Sequence, residues 1–199
     1  MIRVLLGSVL GAVAMFVLGF IFYGALGSVP LDDLGDSEAA AVQSSLAANM
    51  GELPAGAYVV PGTGTQNQER MFTDGPIATI QFNPAGFETM DATVLLGGFV
   101  HMLISALILG AALYAVSAHV RSYSAKLSIV VLFGLAASVF MHLGNPIWWH
   151  QGWLYHLWLF FADFVSFVAA GAIIAWFLPE RLKGESRKDA EAARASSEA

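Results

Sequence analysis

Residues 141–163 read MHLGNPIWWHQGWLYHLWLFFAD and combine two properties that rarely occur together. The stretch is apolar enough for a membrane interior, yet it contains three histidines, four tryptophans and an aspartate. An ionisable side chain held in hydrocarbon is costly unless it is paired, hydrated or neutralised. The stretch therefore predicts a membrane fold with a polar cluster at a defined depth.

The whole chain has the composition of a membrane protein. Of its 199 residues, 57% are hydrophobic and 12% are charged, and the mean hydropathy is +0.66. Soluble domains carry about 25% charged residues, so a water-soluble fold is disfavoured. The absence of cysteine excludes thiol–disulfide catalysis, cysteine-ligated iron–sulfur clusters and thiolate zinc sites. The formal charge of −6 argues against a nucleic-acid partner.

Four apolar runs are each long enough to cross a hydrocarbon core of roughly 30 Å as a helix. We therefore predict an all-α membrane protein with four transmembrane helices and a small α+β extracytoplasmic cap in the first loop. The predicted boundaries are 1–26 for the first helix, 27–92 for the extracytoplasmic loop domain, 93–116 for the second helix, 117–126 for a cytoplasmic loop, 127–147 for the third helix, 148–152 for an extracytoplasmic turn, 153–178 for the fourth helix and 179–199 for a cytoplasmic tail.

The first run has a second interpretation as a cleaved signal peptide. Arg3 precedes it and small residues follow it, as in such peptides. Its apolar core is longer than the roughly 7 to 15 residues usual for a signal, which favours a retained helix. Gly7 and Gly11 lie on one stripe of this helix and would let another helix approach closely.

The first loop differs abruptly from the runs around it. Residues 27–92 carry nine acidic side chains and one basic side chain, Arg70. Capping and turn signals predict a helix over 37–50 with Asp36 or Ser37 as N-cap, strands over 57–60 and 77–82, and a loop over 63–68. A domain this small buries little hydrophobic core alone, and we therefore expect it to pack against the membrane helices or a partner.

The lysines and arginines set the predicted orientation. In a four-span arrangement all of them except Arg70 fall on one side, which the positive-inside rule assigns to the cytoplasm. Both termini are therefore expected in the cytoplasm. Trp148, Trp149 and Trp153 would then mark the outer membrane–water interface, where indole rings are favoured.

Two short motifs in the first loop carry a resemblance. PAGAYVVPG at residues 54–62 and GPIATIQFNPAG at residues 75–86, followed by the second span, resemble a pattern in uncharacterised bacterial integral membrane proteins. Those proteins have an N-terminal span, a PxGxYxxPG-type outward segment and further transmembrane helices. The resemblance implies the same architecture in a bacterial inner membrane. It implies no catalytic residue, because the family has no established activity.

Four ionisable residues are the candidate site: His101, His142, His156 and Asp163. At about 1.5 Å of rise per residue, His101 lies roughly 10 Å below the outer end of its helix and Asp163 roughly 15 Å below the start of its own, with the other two shallower. Because imidazole ligates metals and haem, the three histidines, with or without Asp163, form a candidate cofactor-binding or metal site. The alternative is that His142, His150 and His156 belong to an interfacial aromatic belt, with Asp163 protonated or hydrogen-bonded to one of these histidines or to a hydroxyl.

The sequence favours a non-enzymatic protein, since nothing in it marks a nucleophile and no catalytic residue can be assigned. We expect an accessory or assembly component that contacts the lipid bilayer and either a membrane-protein partner or further copies of itself. Two alternatives stay open: a small haem- or metal-binding redox protein, and proton-coupled transport by an oligomer through His156 and Asp163.

Overall fold

The structure, a computed structural model, describes residues 2–88, 91–178 and 195–196. It is 71% helical, and it divides into two units, one of Met1–Asp32 with Ala92–Ala199 and one of Asp33–Asp91. The elements in chain order are α1 (Ile2–Gly19), a π-helical turn (Phe20–Ala25), α2 (Asp36–Met50), β1 (Gly56–Val60), α3 (Gln66–Asp74), β2 (Ala78–Phe82), α4 (Ala92–Val116), α5 (Tyr123–His142), α6 (Gly144–Trp148) and α7 (Trp153–Phe177). The predicted tail lies outside the described residues, apart from 195–196.

The first unit contains four helical segments long and apolar enough to cross a membrane. They are Ile2–Ala25, Ala92–Val116, Tyr123–Trp148 and Trp153–Phe177. Four such helices indicate a multi-pass membrane protein, and the prediction of a mostly helical fold with four such helices and a small sheet is confirmed.

Helix α1 packs along α4 and α7, and α5 packs along α7. Small residues make the contact between α1 and α7 close. A methyl group added at Gly7 would lie 2.9 Å from Cβ of Phe177, and one added at Gly11 would lie 3.3 Å from the carbonyl oxygen of Ala170. The predicted close approach of another helix at Gly7 and Gly11 is present, and that helix is the chain's own α7, against which both glycines are buried.

Helices α5 and α7 meet around Gly171 and Lys126. A Cβ at Gly171 would collide with the side chain of Val130, so only glycine permits this approach. Lys126 is 0% exposed, and its Nζ donates a hydrogen bond of 3.2 Å to the carbonyl of Leu178, the C-cap of α7. A cation at a helix C-terminus satisfies a carbonyl that has no partner within the helix and opposes the negative end of the helix dipole.

Lys126 was predicted to end a loop, but it lies within a helix. Helix α5 begins at Tyr123, four residues before the predicted start, because the side chain of Ser122 accepts a hydrogen bond from the backbone N–H of Ala125 and caps the helix. At its other end α5 gives way to the short helix α6, and Trp148, Trp149 and Trp153 are all exposed.

The second unit contains a two-stranded antiparallel sheet in which Tyr58 pairs with Ile80. Both strands lie close to their predicted positions. Helix α2 begins at Asp36, so Gly35 is its N-cap, and the predicted cap residue Ser37 instead donates its hydroxyl to the Glu38 carboxylate at 2.7 Å. This bond holds the pKa of Glu38 below its usual value.

The predicted loop over 63–68 was wrong at its end, since α3 begins at Gln66. Thr65 caps this helix by accepting a hydrogen bond from the backbone N–H of Gln68, whose side chain in turn accepts from the N–H of Gly64. This arrangement resembles a capping box. Among the described residues of the second unit, Met50 alone is buried, so the unit has little hydrophobic core of its own.

Candidate functional site

Asp163 joins three helical segments of the first unit. Its Oδ1 accepts a hydrogen bond of 2.5 Å from the hydroxyl of Tyr23, in the π-helical turn. Its Oδ2 lies 2.7 Å from Nε2 of His142, the last residue of α5. Asp163 lies ten residues into α7. Its single carboxyl group therefore connects α7 to both the π-helical turn and α5. We call Tyr23, His142 and Asp163 the Asp163 cluster.

The π-helical turn places Tyr23 in this cluster. A π-helix inserts one extra residue per turn into an α-helix and so changes the direction of the side chains beyond it. The turn is held against α7 by the indole N–H of Trp158, which donates to the carbonyl of Phe22 at 3.3 Å. The Phe22 ring also meets the rings of Trp158 and Phe161 edge-on.

The Asp163 cluster borders a cavity of about 270 Å³ between the helices. His101 and Ser105 of α4 line it, together with Ser138 of α5 and Ser166 of α7. The Asp163 side chain is 43% exposed, whereas that of His142 is 13% exposed. The Asp163 side chain therefore lines the cavity and remains partly exposed although its carboxyl group already has two hydrogen-bond partners.

Ser166 is a polar group that the packing leaves incomplete. It is 5% exposed, and its hydroxyl has no hydrogen-bond partner among the residues that the structure describes. Buried polar groups are nearly always paired, and an unpaired hydroxyl costs about 1–3 kcal/mol. A molecule in the cavity that accepted a hydrogen bond from Ser166 would remove this cost.

The structure brings together three of the four predicted site residues. His142 and Asp163 are hydrogen-bonded, and His101 lines the same cavity. His156 is absent from the cavity wall and lies buried, with Nε2 2.8 Å from Oε1 of Gln151. Asp163 was expected to bond to a histidine or to a hydroxyl, and it bonds to both, to His142 and to the hydroxyl of Tyr23.

The metal or haem hypothesis asked His101, His142 and His156 to converge. Within residues 2–88 and 91–178, no group of three or more histidine or carboxylate side chains could hold a metal ion together. Two of the three histidines share the cavity and the third points to Gln151, so the hypothesis stays a prediction with a reduced ligand set. A Soret band or stoichiometric metal in the purified protein would test it.

Sequence reasoning missed Tyr23, Gln151 and the unpaired hydroxyl of Ser166. A lone tyrosine in an aromatic, apolar span gives no signal, because the direction of its hydroxyl depends on the π-helical turn. The signal that was available is positional: Tyr23 lies at the same end of its span as His142 and the start of α7 in an up-and-down bundle.

No protein-family model, curated protein or solved structure gives a significant match to this chain.

The cavity offers groups that can donate and accept hydrogen bonds, in walls that are otherwise apolar. Asp163 can accept, Ser166 can donate, and the imidazole of His101 can do either according to its tautomer. The described lining residues include no lysine or arginine, the side chains that most often bind a phosphate or a carboxylate. The arrangement is suited to hydrogen-bonding a small polar group in a low-dielectric environment.

Proposed function

We propose that this chain is a non-enzymatic protein of the bacterial inner membrane that binds a membrane-soluble ligand at the Asp163 cluster and acts as an accessory component of a larger membrane process. The observation that carries this proposal is the Asp163 side chain, which lines a cavity and is 43% exposed although it is bonded to Tyr23 and His142. A purely structural polar contact between helices does not require such an opening.

The proposed orientation has both termini in the cytoplasm and the unit Asp33–Asp91 outside. Support comes from Arg3, Arg121 and Lys126, which the positive-inside rule assigns to the cytoplasmic side. The Asp163 cluster then lies in the outer half of the bilayer. The first helix is retained in this proposal, because it supplies Tyr23 and packs along two other helices.

Reporter fusions test the orientation. A phosphatase reporter, active only outside, and a fluorescent reporter, active only inside, are fused after residue 60 and after residue 122. We expect residue 60 outside and residue 122 inside. Finding both residues in the same compartment would overturn the four-span arrangement and, with it, the depth assigned to the Asp163 cluster.

A matched pair of tryptophan variants tests ligand binding at the cavity. Ala137 and Ala136 are neighbouring exposed residues of α5, but Ala137 lines the cavity and Ala136 does not. The wild-type protein and both variants are purified in mild detergent and their bound small molecules are quantified by native mass spectrometry. We expect wild type and Ala136→Trp to retain a stoichiometric ligand and Ala137→Trp to lose it, because the indole fills the cavity.

Equal ligand content in the two variants would refute the cavity as the binding site. A wild-type protein that carries no ligand and gains none from a membrane lipid extract would refute the binding function itself. Thermal unfolding of both variants, measured in the same detergent, distinguishes loss of the ligand from loss of the fold.

The outer unit supports an additional contact with another protein. Its described residues bury Met50 alone, which is too little apolar surface to stabilise a domain of this size. We propose a membrane-protein partner or a second copy of this chain as its binding partner, and cross-linking in native membranes from a residue in α2 tests for it. A chain that cross-links to nothing and migrates as a monomer would refute this contact.

A further inference from the structure

An apolar groove runs between α4 and α5. Helices α4 and α5 follow each other in the chain but do not pack along one another. Instead, α4 packs along α1 and α5 packs along α7. The space between them measures about 360 Å³. Its walls include Ile108, Ala112 and Val116 of α4, and Ile129 and Phe133 of α5.

The groove adjoins the cavity of the Asp163 cluster. Ser105 of α4 and Phe167 of α7 line both spaces. One space is apolar throughout apart from Ser105, and the other carries the hydrogen-bonding groups. Together they have the form of an amphipathic site, with a polar end at Asp163 and an apolar end at Val116.

The polar end restricts the head group of a ligand. The hydroxyl of Ser166 is buried at the cavity wall without a hydrogen-bond partner, so it can donate to an acceptor on a ligand. Neither space is lined by a described lysine or arginine, while the acid Asp163 is present. A phosphate or carboxylate head would find no lysine or arginine to bind and would lie beside the acidic side chain of Asp163. An uncharged head with a carbonyl oxygen fits these groups.

The apolar end restricts the remainder of the ligand. The groove is bordered by one helix on each side, and the hydrocarbon of a chain placed in it would meet aliphatic and aromatic side chains only. Many of the residues along it, such as Ile108 and Phe133, are also strongly exposed on the outer surface of the bundle. The groove therefore communicates with the bilayer, from which a lipid chain can enter sideways.

We propose that the cavity and the groove together bind one uncharged, single-chain lipid, with its carbonyl-bearing head at Ser166 and the Asp163 cluster and its hydrocarbon chain between α4 and α5. This inference rests on the proposed binding function and specifies the ligand class. An isoprenoid quinone has this chemistry, whereas a two-chain phospholipid and a fatty acid anion do not.

A second matched pair tests the position of the chain. Ala112 lines the groove, whereas its neighbour Ala111 is exposed on α4 and does not. The full-length protein is titrated with decyl-ubiquinone, and binding is followed by native mass spectrometry. We expect Ala112→Trp to weaken binding by about tenfold or more, and Ala111→Trp to bind as wild type does. Val116→Trp, at the far end of the groove, serves as the second variant if Ala112→Trp unfolds.

Two further probes test the head and the chain separately. Ubiquinone-0 has the same head without the chain, and decanoate has a ten-carbon chain with an anionic head. We expect both to bind at least about tenfold more weakly than decyl-ubiquinone. Ser166→Ala should weaken decyl-ubiquinone binding by roughly two- to tenfold through loss of one hydrogen bond.

The outcomes separate this inference from the proposed function. If Ala137→Trp loses the ligand and both Ala112→Trp and Val116→Trp keep it, the cavity binds a ligand but the groove does not hold its chain, and the inference is overturned. Decanoate binding as tightly as decyl-ubiquinone would overturn the assignment of an uncharged head. Equal weakening by Ala111→Trp and Ala112→Trp would also count against the groove.

Discussion

Each end of the helix bundle contains an ionisable side chain, but the two side chains differ in exposure and in the packing around them. Lys126 is 0% exposed and donates to the carbonyl that ends α7. Asp163 binds two partners, yet its side chain lines a cavity and is 43% exposed. Close packing surrounds the first group, since Gly171 and Val130 meet nearby. The comparison indicates that the Lys126 end maintains the fold and that the Asp163 end is available to a ligand.

The largest effect is expected from Gly171→Leu, which places a side chain where Val130 already lies. Overpacking of this kind costs about 3 kcal/mol, because α5 and α7 must separate. The free energy of unfolding, measured by SDS titration of the protein in mixed micelles, reports the loss. Ala172→Leu adds the same side chain at the next, half-buried position and is the control. Equal losses for the two variants would show that the close approach at Gly171 is not what matters.

Lys126→Met is expected to lower the free energy of unfolding by about 2 kcal/mol, because the Leu178 carbonyl loses its buried donor. Ligand binding at the other end should be unchanged. Leu132→Met, at a 63% exposed position of the same helix, is the control and should be neutral. A stable Lys126→Met protein that had lost its ligand would reverse the roles given to the two ends.

Asp163→Asn is expected to lower the free energy of unfolding by only about 1 kcal/mol, but to abolish ligand retention. The amide presents a donor where the carboxylate accepted from Tyr23 or faced His142, so one of these contacts is lost. His156→Gln is the control, because it alters a polar contact of the same helix outside the cavity and should leave the ligand bound. Ligand loss in both variants would point to a general disturbance of α7.

Tyr23→Phe is expected to have the smallest effect, a loss of about 0.5 kcal/mol in the free energy of unfolding. It removes one hydrogen bond to a partly exposed carboxyl group that keeps its contact with His142. Ligand affinity should fall modestly and remain measurable. Tyr114→Phe removes the hydroxyl of an exposed tyrosine on α4 and is the control. A complete loss of binding would make Tyr23 a direct ligand contact rather than a positioning residue.

The sequence was most informative where the physical signal is local. Long apolar runs predicted the four spans, turn signals bounded both predicted strands, and alternation indicated the second strand, because these patterns depend on neighbouring residues only. The rarity of an acid within a span singled out Asp163. It bonds to His142, as the hypothesis of an interfacial aromatic belt allowed. Helix α3 also had a local signal, because Thr65 caps it. The prediction placed Thr65 within the loop over 63–68 instead.

The remaining features depend on residues far apart in the chain. Lys126 was assigned to a loop because lysine is normally excluded from spans, and its acceptor lies 52 residues away. Tyr23 and Asp163 are 140 residues apart, so no window of sequence relates them. His156 shares α7 with Asp163, but the nearby Gln151 gives it a different partner.

The π-helical turn makes the cluster dependent on the number of residues in the first helix. Deleting one residue at positions 20–22, before Tyr23, would restore regular α-helical winding and rotate the residues beyond the deletion by about 100° around the helix axis. The phenol of Tyr23 would then face away from α7 although Tyr23 itself was retained. Relatives of this protein that retain the tyrosine but differ by one residue in that turn should consequently have an aspartate with a different partner, so the spacing is as informative as the residue identity when this site is traced through evolution.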